Sequence, residues 1–406
     1  MELFQEDLKD AGMLDEAEKF LQSTGRLQVL CYKHEIEKSL RTPANGGFQL
    51  LSLNDYSGQG TALVGILDAF WDEKGYTDAN EFSKFCNSTV PLIRTEKFVY
   101  HNNENFNAAV EIYHYGEKDI SNAKVYWTIK DMNGNTVGKG SFDKTNIITG
   151  KNTVIGTLQF TLSKITKTTG LTVEVGIENT AYKNDWNIYV YPVQLPPLNN
   201  NDIYYTTILD DKAADILNKG GKVFLNINGQ VTKGKEIVQT FLPIFWNTSW
   251  FKMRPPHTMG FVLNEKHAAF NDFPTNYHSD LQWWDIINKS QVMHLEDFPK
   301  DFRPLVQPID TWFMNRRLAL VFEAKVGNGK IIVTSADLSD TASGIASKQL
   351  FYSLEKYMLS NQFNPTTSID ITLIKDLTTK PSKFTFDAYT KDSPDELKPK
   401  AVITNP

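Results

Sequence analysis

Three side chains in the loop LSLNDYSGQGTA carry hydrogen-bonding chemistry: Asn54, Asp55 and Gln59. They follow a nearly continuous apolar run at residues 48–53, and the C-terminal end of a buried strand is where α/β enzymes place functional groups. Asp55 there could hold a sugar hydroxyl or orient another acid. In the competing reading, Asn54 or Asp55 caps the following helix or organises the turn. A second concentration spans IFWNTSW, RPPHTMG, FPTNYHSDLQWWD and IDTWFMNRRLAL. Trp246, Trp250, Trp283, Trp284 and Trp312 supply flat faces, and His257, His278, Asp285, Asp310, Arg316 and Arg317 supply hydrogen bonds. Sugar-binding clefts combine the two, because axial C–H bonds pack on rings while hydroxyls seek donors and acceptors. The competing reading makes the tryptophans core residues and Asp310 with Arg316 a structural ion pair.

Other chemistries find no support. The seven histidines include no pair at helical ligand spacing, so no metal site is expected. There is no G-x-x-x-x-G-K-[ST] loop, no strand followed by G-x-G-x-x-G and no G-x-S-x-G elbow. No cofactor is therefore expected. Cys31 and Cys86 read as free thiols that behave as small hydrophobes. With 42 basic against 48 acidic residues the net charge is −6, which gives nucleic acid no electrostatic attraction. No apolar run approaches the roughly 18 residues of a membrane span. The opening MELFQEDLKDAGMLDEAEKF is acidic and amphipathic, unlike a signal peptide, so the chain as written carries no export address.

The elements that must position these residues change character along the chain. Residues 1–40 have helical spacing at Leu14, Ala17, Phe20 and Leu21, with Gly12 and Gly25 expected to divide them into two or three helices. The run at residues 48–53 reads as a strand buried on both faces, followed after the polar loop by a helix ending near Trp71. From about residue 97 to 192 the period becomes two, as in Phe106, Ala108, Val110 and Ile112, or Leu171, Val173, Val175 and Ile177. Asn133-Gly134 marks a hairpin. These features predict an antiparallel β-sandwich of immunoglobulin-like architecture. Beyond the linker VQLPPLNNND, strands at residues 203–208, 223–227 and 330–334 alternate with helices at 211–218 and 347–359, which predicts an α/β domain with a mainly parallel sheet. After Pro365 a strand or two and a loose tail are expected.

The stretch LQVLCYKHEIEKSLRTPANGGFQLLSLNDYSGQGTALVGILDAFWDEKGY resembles the end of the catalytic barrel of β-galactosidase-like enzymes of glycoside hydrolase family 2. TVPLIRTEKFVY resembles the junction into that group's β-sandwich. PPHTMGFVLNEKHAAFNDFPTNYHSDLQWWDI and DTWFMNRRLALVFEAKVGNGKIIV look like its C-terminal α/β domain, which is similar in shape to glutamine-amidotransferase domains. The resemblance implies a multidomain chain: residues 1–94 as a partial (β/α)8 barrel remnant, 95–195 as the immunoglobulin-like sandwich, 203–365 as the amidotransferase-like α/β domain, and 366–406 as C-terminal strands and tail. It further implies a retaining mechanism with two glutamates about 5 Å apart, both encoded upstream of the matched stretch. Glu35 and Glu37 fall in a helix and are given no catalytic role. The barrel rim left in this chain is Gln49, Asn54, Asp55 and Gln59, and many relatives carry histidine where Asn54 stands.

The expected function is thus that of a C-terminal fragment of a family 2 glycoside hydrolase, inactive alone because both catalytic glutamates are absent. A separate reading makes the chain a subunit that completes a barrel supplied by another, N-terminal chain. Its substrate class would be a β-galactoside or a plant or algal polysaccharide fragment, and its relatives are typically exported. The alternative is a free-standing carbohydrate-binding or scaffolding module, with Trp246, His257, His278, Trp283, Trp284, Asp310 and Arg316 as its contact residues.

Overall fold

Helical spacing in the first forty residues produces α1 (Glu2–Asp10), a 3-10 turn (Leu14–Glu16) and α2 (Ala17–Leu40). The computed structural model describes residues 2–43, 45–56, 64–242, 257–311, 314–338 and 344–383. Gly25 does not break the helix as expected. It sits inside α2 beneath the ring of Tyr76, where an added Cβ would lie 2.2 Å from the ring, so its missing side chain serves a close approach. A short α3 (Ala79–Ser83) follows, capped by Asp78, whose carboxylate accepts from the Glu81 amide at 2.7 Å. α2 acts as a strut. Phe20 joins Leu8, Met13, Met259, Val262 and Ile309 in one apolar cluster, and Leu27 enters the main α/β core. Val29, Ile36 and Leu40 pack instead with Tyr76, Phe85, Val90 and Leu92.

The period-two region forms a β-sandwich. One sheet is β1 (Thr89–Arg94), β3 (Asn105–His114) and β8 (Lys151–Thr161), antiparallel throughout. The other runs β2 (Val99–His101), β10 (Lys183–Tyr191), β9 (Thr169–Ile177), β5 (Val125–Asp131) and β6 (Thr136–Ser141). Only its β2–β10 pair is parallel. A two-stranded ribbon, β4 (Ile120–Ala123) with β7 (Thr145–Ile147), lies beside them. The β5–β6 turn carries Asn133-Gly134, with Gly134 at φ +82, as the dipeptide requires. Phe106, Val110 and Ile112 of one sheet and Val173, Val175, Trp186 and Ile188 of the other share one core.

The remaining sheet is mixed, not mainly parallel. Its order is β11 (Ile203–Thr206), β12 (Lys222–Asn226), β18 (Gly329–Thr334), β17 (Val321–Val326), β15 (Val306–Pro308) and β13 (Phe261–Leu263). The β11–β12–β18 side is parallel and the β18–β17–β15–β13 side antiparallel. The departure has a local cause. Gly327, at φ +57, turns β17 directly into β18, so Gly327-Asn328-Gly329 is a hairpin turn and that pair is antiparallel. Helices α4 (Asp211–Asn218), α5 (Trp284–Asn288) and α6 (Ile345–Leu359) flank the sheet, and a small β14 (Met293–His294)–β16 (Leu318–Ala319) pair closes one end.

Two further expectations fail. Residues 48–53 form no strand: Phe48, Leu51 and Leu53 are exposed, Leu51 at 80%, and the adjoining Asn54 makes an isolated bridge to Leu67. A continuous apolar run becomes a buried strand only when neighbouring strands flank it, and none does here among the described residues. The helix expected to end near Trp71 is absent over residues 64–71, because Asp68 Oδ1 accepts from the amides of Phe70 (2.8 Å) and Asp72 (2.9 Å), closing a turn in place of a helix. Beyond Pro365 the described residues form a helix, α7 (Ile371–Thr379). Asp370 caps it by accepting from the Thr372 amide at 2.8 Å, and Ile374 and Leu377 are buried on one face. The rest of the stretch expected to hold a strand or two and a tail lies outside the described residues from 384 onward.

Candidate functional site

α2, β10 and the loop at residues 276–281 meet around a cavity of about 160 Å³. α2 contributes Arg26, Leu30, Lys33 and His34, β10 contributes Trp186 and Tyr189, and the loop contributes Asn276, His278 and Asp280. Strand alternation explains the β10 face. Trp186, Ile188 and Val190 point into the sandwich core, so Tyr189 and Tyr191 point the other way, into the core of the mixed sheet.

Nearly every charge around the cavity already has a partner. Arg26 grips Glu81 with two parallel bonds, 2.7 and 2.9 Å, and Lys84 reaches Asp185 at 2.5 Å. Lys33 pairs with the buried Glu37 at 2.7 Å, contacts the Asn184 amide oxygen, and stands 4.9 Å from the Trp186 ring. Glu37 also accepts from Asn184 Nδ2 (2.8 Å), Trp186 Nε1 (2.9 Å) and Arg41 (3.2 Å). Burial works against its charge, but Lys33 and these donors hold the carboxyl below the usual range. Lys33, buried in turn, is pushed down by desolvation despite Glu37.

Asp280 and His278 are different. Asp280 Oδ2 accepts from Tyr189 Oη at 2.6 Å and Asn276 Nδ2 at 3.1 Å, and Oδ1 accepts from the Gln282 amide at 3.3 Å. Burial outweighs these donors and pushes its carboxyl up to about 6. His278, 9% exposed, places Nδ1 3.1 Å from the Ser279 carbonyl. Burial pushes its imidazole down to about 4, so it is neutral at pH 7, and the Ser279 contact makes Nδ1 the donor and Nε2 the open acceptor. Gln282, which also accepts from Tyr191 Oη, donates to the Pro274 carbonyl at 2.8 Å and so fixes the loop.

The sequence-derived candidates scatter. Gln49 is exposed on the extended segment, and Gln59 lies outside the described residues. Asn54 donates to the Asp55 carbonyl at 3.1 Å. Asp55 is buried against Lys74 (2.7 Å) and the Gly65 amide (2.8 Å), so it fastens its own loop and caps no helix among the described residues. Trp283 is fully buried between Phe261 and Phe273, with its N–H on Thr275 Oγ1 at 2.9 Å. Trp284 is half exposed against Phe241. Asp310 and Arg316 form a buried two-bond pair at 2.7 and 3.0 Å, and Arg317 donates to the carbonyls of Phe298 and Glu296. Asp285 is exposed, 3.8 Å from Lys289. His257 sits between the Thr258 carbonyl and Thr240 Oγ1. Trp246, Trp250 and Trp312 lie outside the described residues. Of the described members of the set, only His278 lines the junction cavity.

Asp280, Asn276, Tyr189 and Arg26 were missed. Two signals pointed to them: an aspartate placed to cap LQWWD, and tyrosines on the face of β10 opposite its core residues, which a one-sided sandwich strand would not need. Among the described residues no group of three or more His, Cys, Asp or Glu side chains could hold a metal ion. No helix among them is long and apolar enough to cross a membrane.

Comparison with known proteins places two family models on the chain. Residues 204–379 match a domain of unknown function (DUF8487), and residues 104–192 match another (DUF8488). No curated protein matches in sequence. Solved structures match at low scores. The CARDB domain of the PF1109 protein from Pyrococcus furiosus, in complex with di-metal ions, is 12% identical over 26% of this chain and 93% of its own, with a TM-score of 0.21. A β-glucuronidase from glycoside hydrolase family 2 is 12% identical over 25% of this chain and 11% of its own, with a TM-score of 0.19. A family 123 glycoside hydrolase from Clostridium perfringens is 10% identical over 38% of each chain, with a TM-score of 0.21. These scores are too low to carry a function across.

Proposed function

We propose that this chain is the C-terminal portion of a family 2-type, β-galactosidase-like glycoside hydrolase, inactive alone and completed by an N-terminal chain that docks on the exposed side chains of residues 48–56 and 70–71. In this reading residues 1–94 are the end of a barrel, the sandwich is the family's immunoglobulin-like domain, and the mixed sheet is its amidotransferase-like domain. The observation that supports it is the exposure of Phe48, Leu51, Leu53, Tyr56, Phe70 and Trp71, all large apolar or aromatic side chains. Side chains of this kind on one short segment mark a surface that a partner covers. The residues available to this chain also argue against independent hydrolysis. A retaining glycosidase needs two carboxyls about 5 Å apart, one of them free to attack. Asp55, Glu81, Asp185 and Asp310 are each bound to a lysine or arginine.

The purified chain should therefore fail to turn over an aryl β-galactoside, and adding the polypeptide encoded immediately upstream should restore turnover. Turnover by this chain alone, abolished by a substitution within it, overturns the proposal. So does a failure of the two chains to associate.

A further inference from the structure

We propose that the junction cavity binds one small neutral polyhydroxylated molecule, a single sugar or cyclitol ring, held by His278 and Asn276 against an apolar wall from α2. This site is separate from the docking segment and belongs to the chain alone, so it stands or falls independently of the function proposed above.

Four observations carry it. The first is an unsatisfied acceptor. His278 is 91% buried and lines the cavity, and among the described residues its side chain has a hydrogen-bond partner at Nδ1 and none at Nε2. An open acceptor at that depth calls for a hydroxyl or a water. His34, on the opposite wall, makes an edge contact with Phe98 at 5.5 Å and no hydrogen bond with any described residue, and burial lowers its pKa as well. Two neutral imidazoles therefore face one space.

The second is charge. Arg26 is committed to Glu81, Lys33 to Glu37 and Lys84 to Asp185, while Asp280 adds negative charge. A carboxylate or phosphate ligand would meet no free cation, so the lining selects a neutral molecule. The third is the wall. Val29 and Leu30 of α2, together with Phe98 and Leu281, give the lining apolar surface for a C–H face in addition to the amide of Asn276 and the ring of His278. The fourth is size. About 160 Å³ falls well below the roughly 300–1,000 Å³ of drug-sized sites, which admits one ring and excludes an oligosaccharide or a nucleotide.

The test is saturation-transfer NMR and calorimetry on the full chain, with methyl β-galactoside, glucose and myo-inositol as neutral probes and galacturonate and glucose 6-phosphate as anionic ones. At least one neutral ring should bind, and the anionic rings at least tenfold more weakly. His278→Phe removes the acceptor and fills the space, and Leu30→Phe fills it from the other wall with the acceptor kept. Each should abolish binding, with folding checked by circular dichroism. If His278→Phe does not fold, Leu30→Phe and His34→Phe decide the matter. The proposal is overturned if no neutral ring binds at 10 mM (on the order of the weakest specific affinities). Equal binding of the anions, or binding that survives the folded cavity-filling variants, also overturns it.

Discussion

The α2–sandwich junction and the segment at residues 48–71 invert each other's chemistry. At the junction, charged and polar side chains are buried: Glu37 is 1% exposed, Asn184 0%, Asp280 6%. In the segment, apolar and aromatic ones are exposed: Leu51 80%, Phe70 85%, Trp71 62%. Buried charges persist only where their partners are in place, so the charge network around Glu37 is completed within this chain, beside the cavity that His278 lines. Apolar side chains in water have no such partners. The contrast separates contacts this chain makes for itself from contacts it leaves to another molecule, and each prediction below tests one side of it.

The largest effect belongs to Glu37. Glu37→Gln leaves Lys33 and Arg41 facing a neutral amide, and removing one member of a buried pair costs about 3–5 kcal/mol. Urea denaturation of the purified variant measures it. A Lys33→Met/Glu37→Leu double variant should be less destabilised than Glu37→Gln, because it leaves no buried charge unpaired. A loss below about 1 kcal/mol for Glu37→Gln would mean that the junction is wet and the contrast false.

Next come the two titrating neighbours, whose signs oppose. His278 falls from 6.5 to about 4 on folding, so the native state binds fewer protons there and stability is lost as pH drops from 6.5 through 4. Asp280 rises from 3.8 to about 6, so the native state binds more protons there and stability is lost as pH rises from 3.8 through 6. Each displacement is worth about 3 kcal/mol, and between pH 4 and 6 the two nearly cancel. The native chain should therefore show little pH dependence from this pair. His278→Gln should become more stable as pH falls from 6 to 4, and Asp280→Asn less stable. Denaturation midpoints at half-unit pH steps give both slopes. Equal slopes in the two variants would mean that neither group is buried as described.

How much of this was legible in the sequence depends on whether a residue's partners are local. Alternation at Leu171, Val173, Val175 and Ile177 gives β9, and Asp210 before the apolar spacing of α4 gives a capped helix, because strand and cap signals are read within a few residues. The run at residues 48–53 carries the same local signal as a buried strand, yet burial depends on flanking strands that local spacing cannot reveal. α7 was missed for the opposite reason. Its polar flanks hid an apolar face with a good cap at Asp370. The site failed on the same principle. Trp283 and His278 are five residues apart, but one is core and the other lines the cavity, since the cavity is made by α2 and β10, roughly 90 and 250 residues away.

Asp310 tests which of two sequence readings applies to the α/β region. Its pair with Arg316 is buried, with side chains 1% and 8% exposed, and Glu236 lies 3.9 Å from the same guanidinium. Asp310→Asn should cost about 2–3 kcal/mol, less than Glu37→Gln because Glu236 still opposes the arginine charge. Binding of neutral sugars at the junction should stay unchanged. Altered sugar binding without a stability loss would restore the pair to a ligand-contact role.

The smallest effect on stability, and the one that bears most on function, belongs to the exposed segment. Leu51→Ser, Phe70→Ser and Trp71→Ser remove side chains that water already surrounds, so each should shift the isolated chain's stability by no more than about 0.5 kcal/mol. Glu37→Gln weakens the fold itself, so its effect appears with or without a partner. The serine variants should matter only when the upstream polypeptide is present, where losing a buried Leu or aromatic contact costs about 2 kcal/mol or more, some thirtyfold in affinity. Titrating the partner against wild type and each variant separates the cases. If the variants destabilise the isolated chain and leave association unchanged, the segment packs within this molecule and the distinction between the two regions collapses.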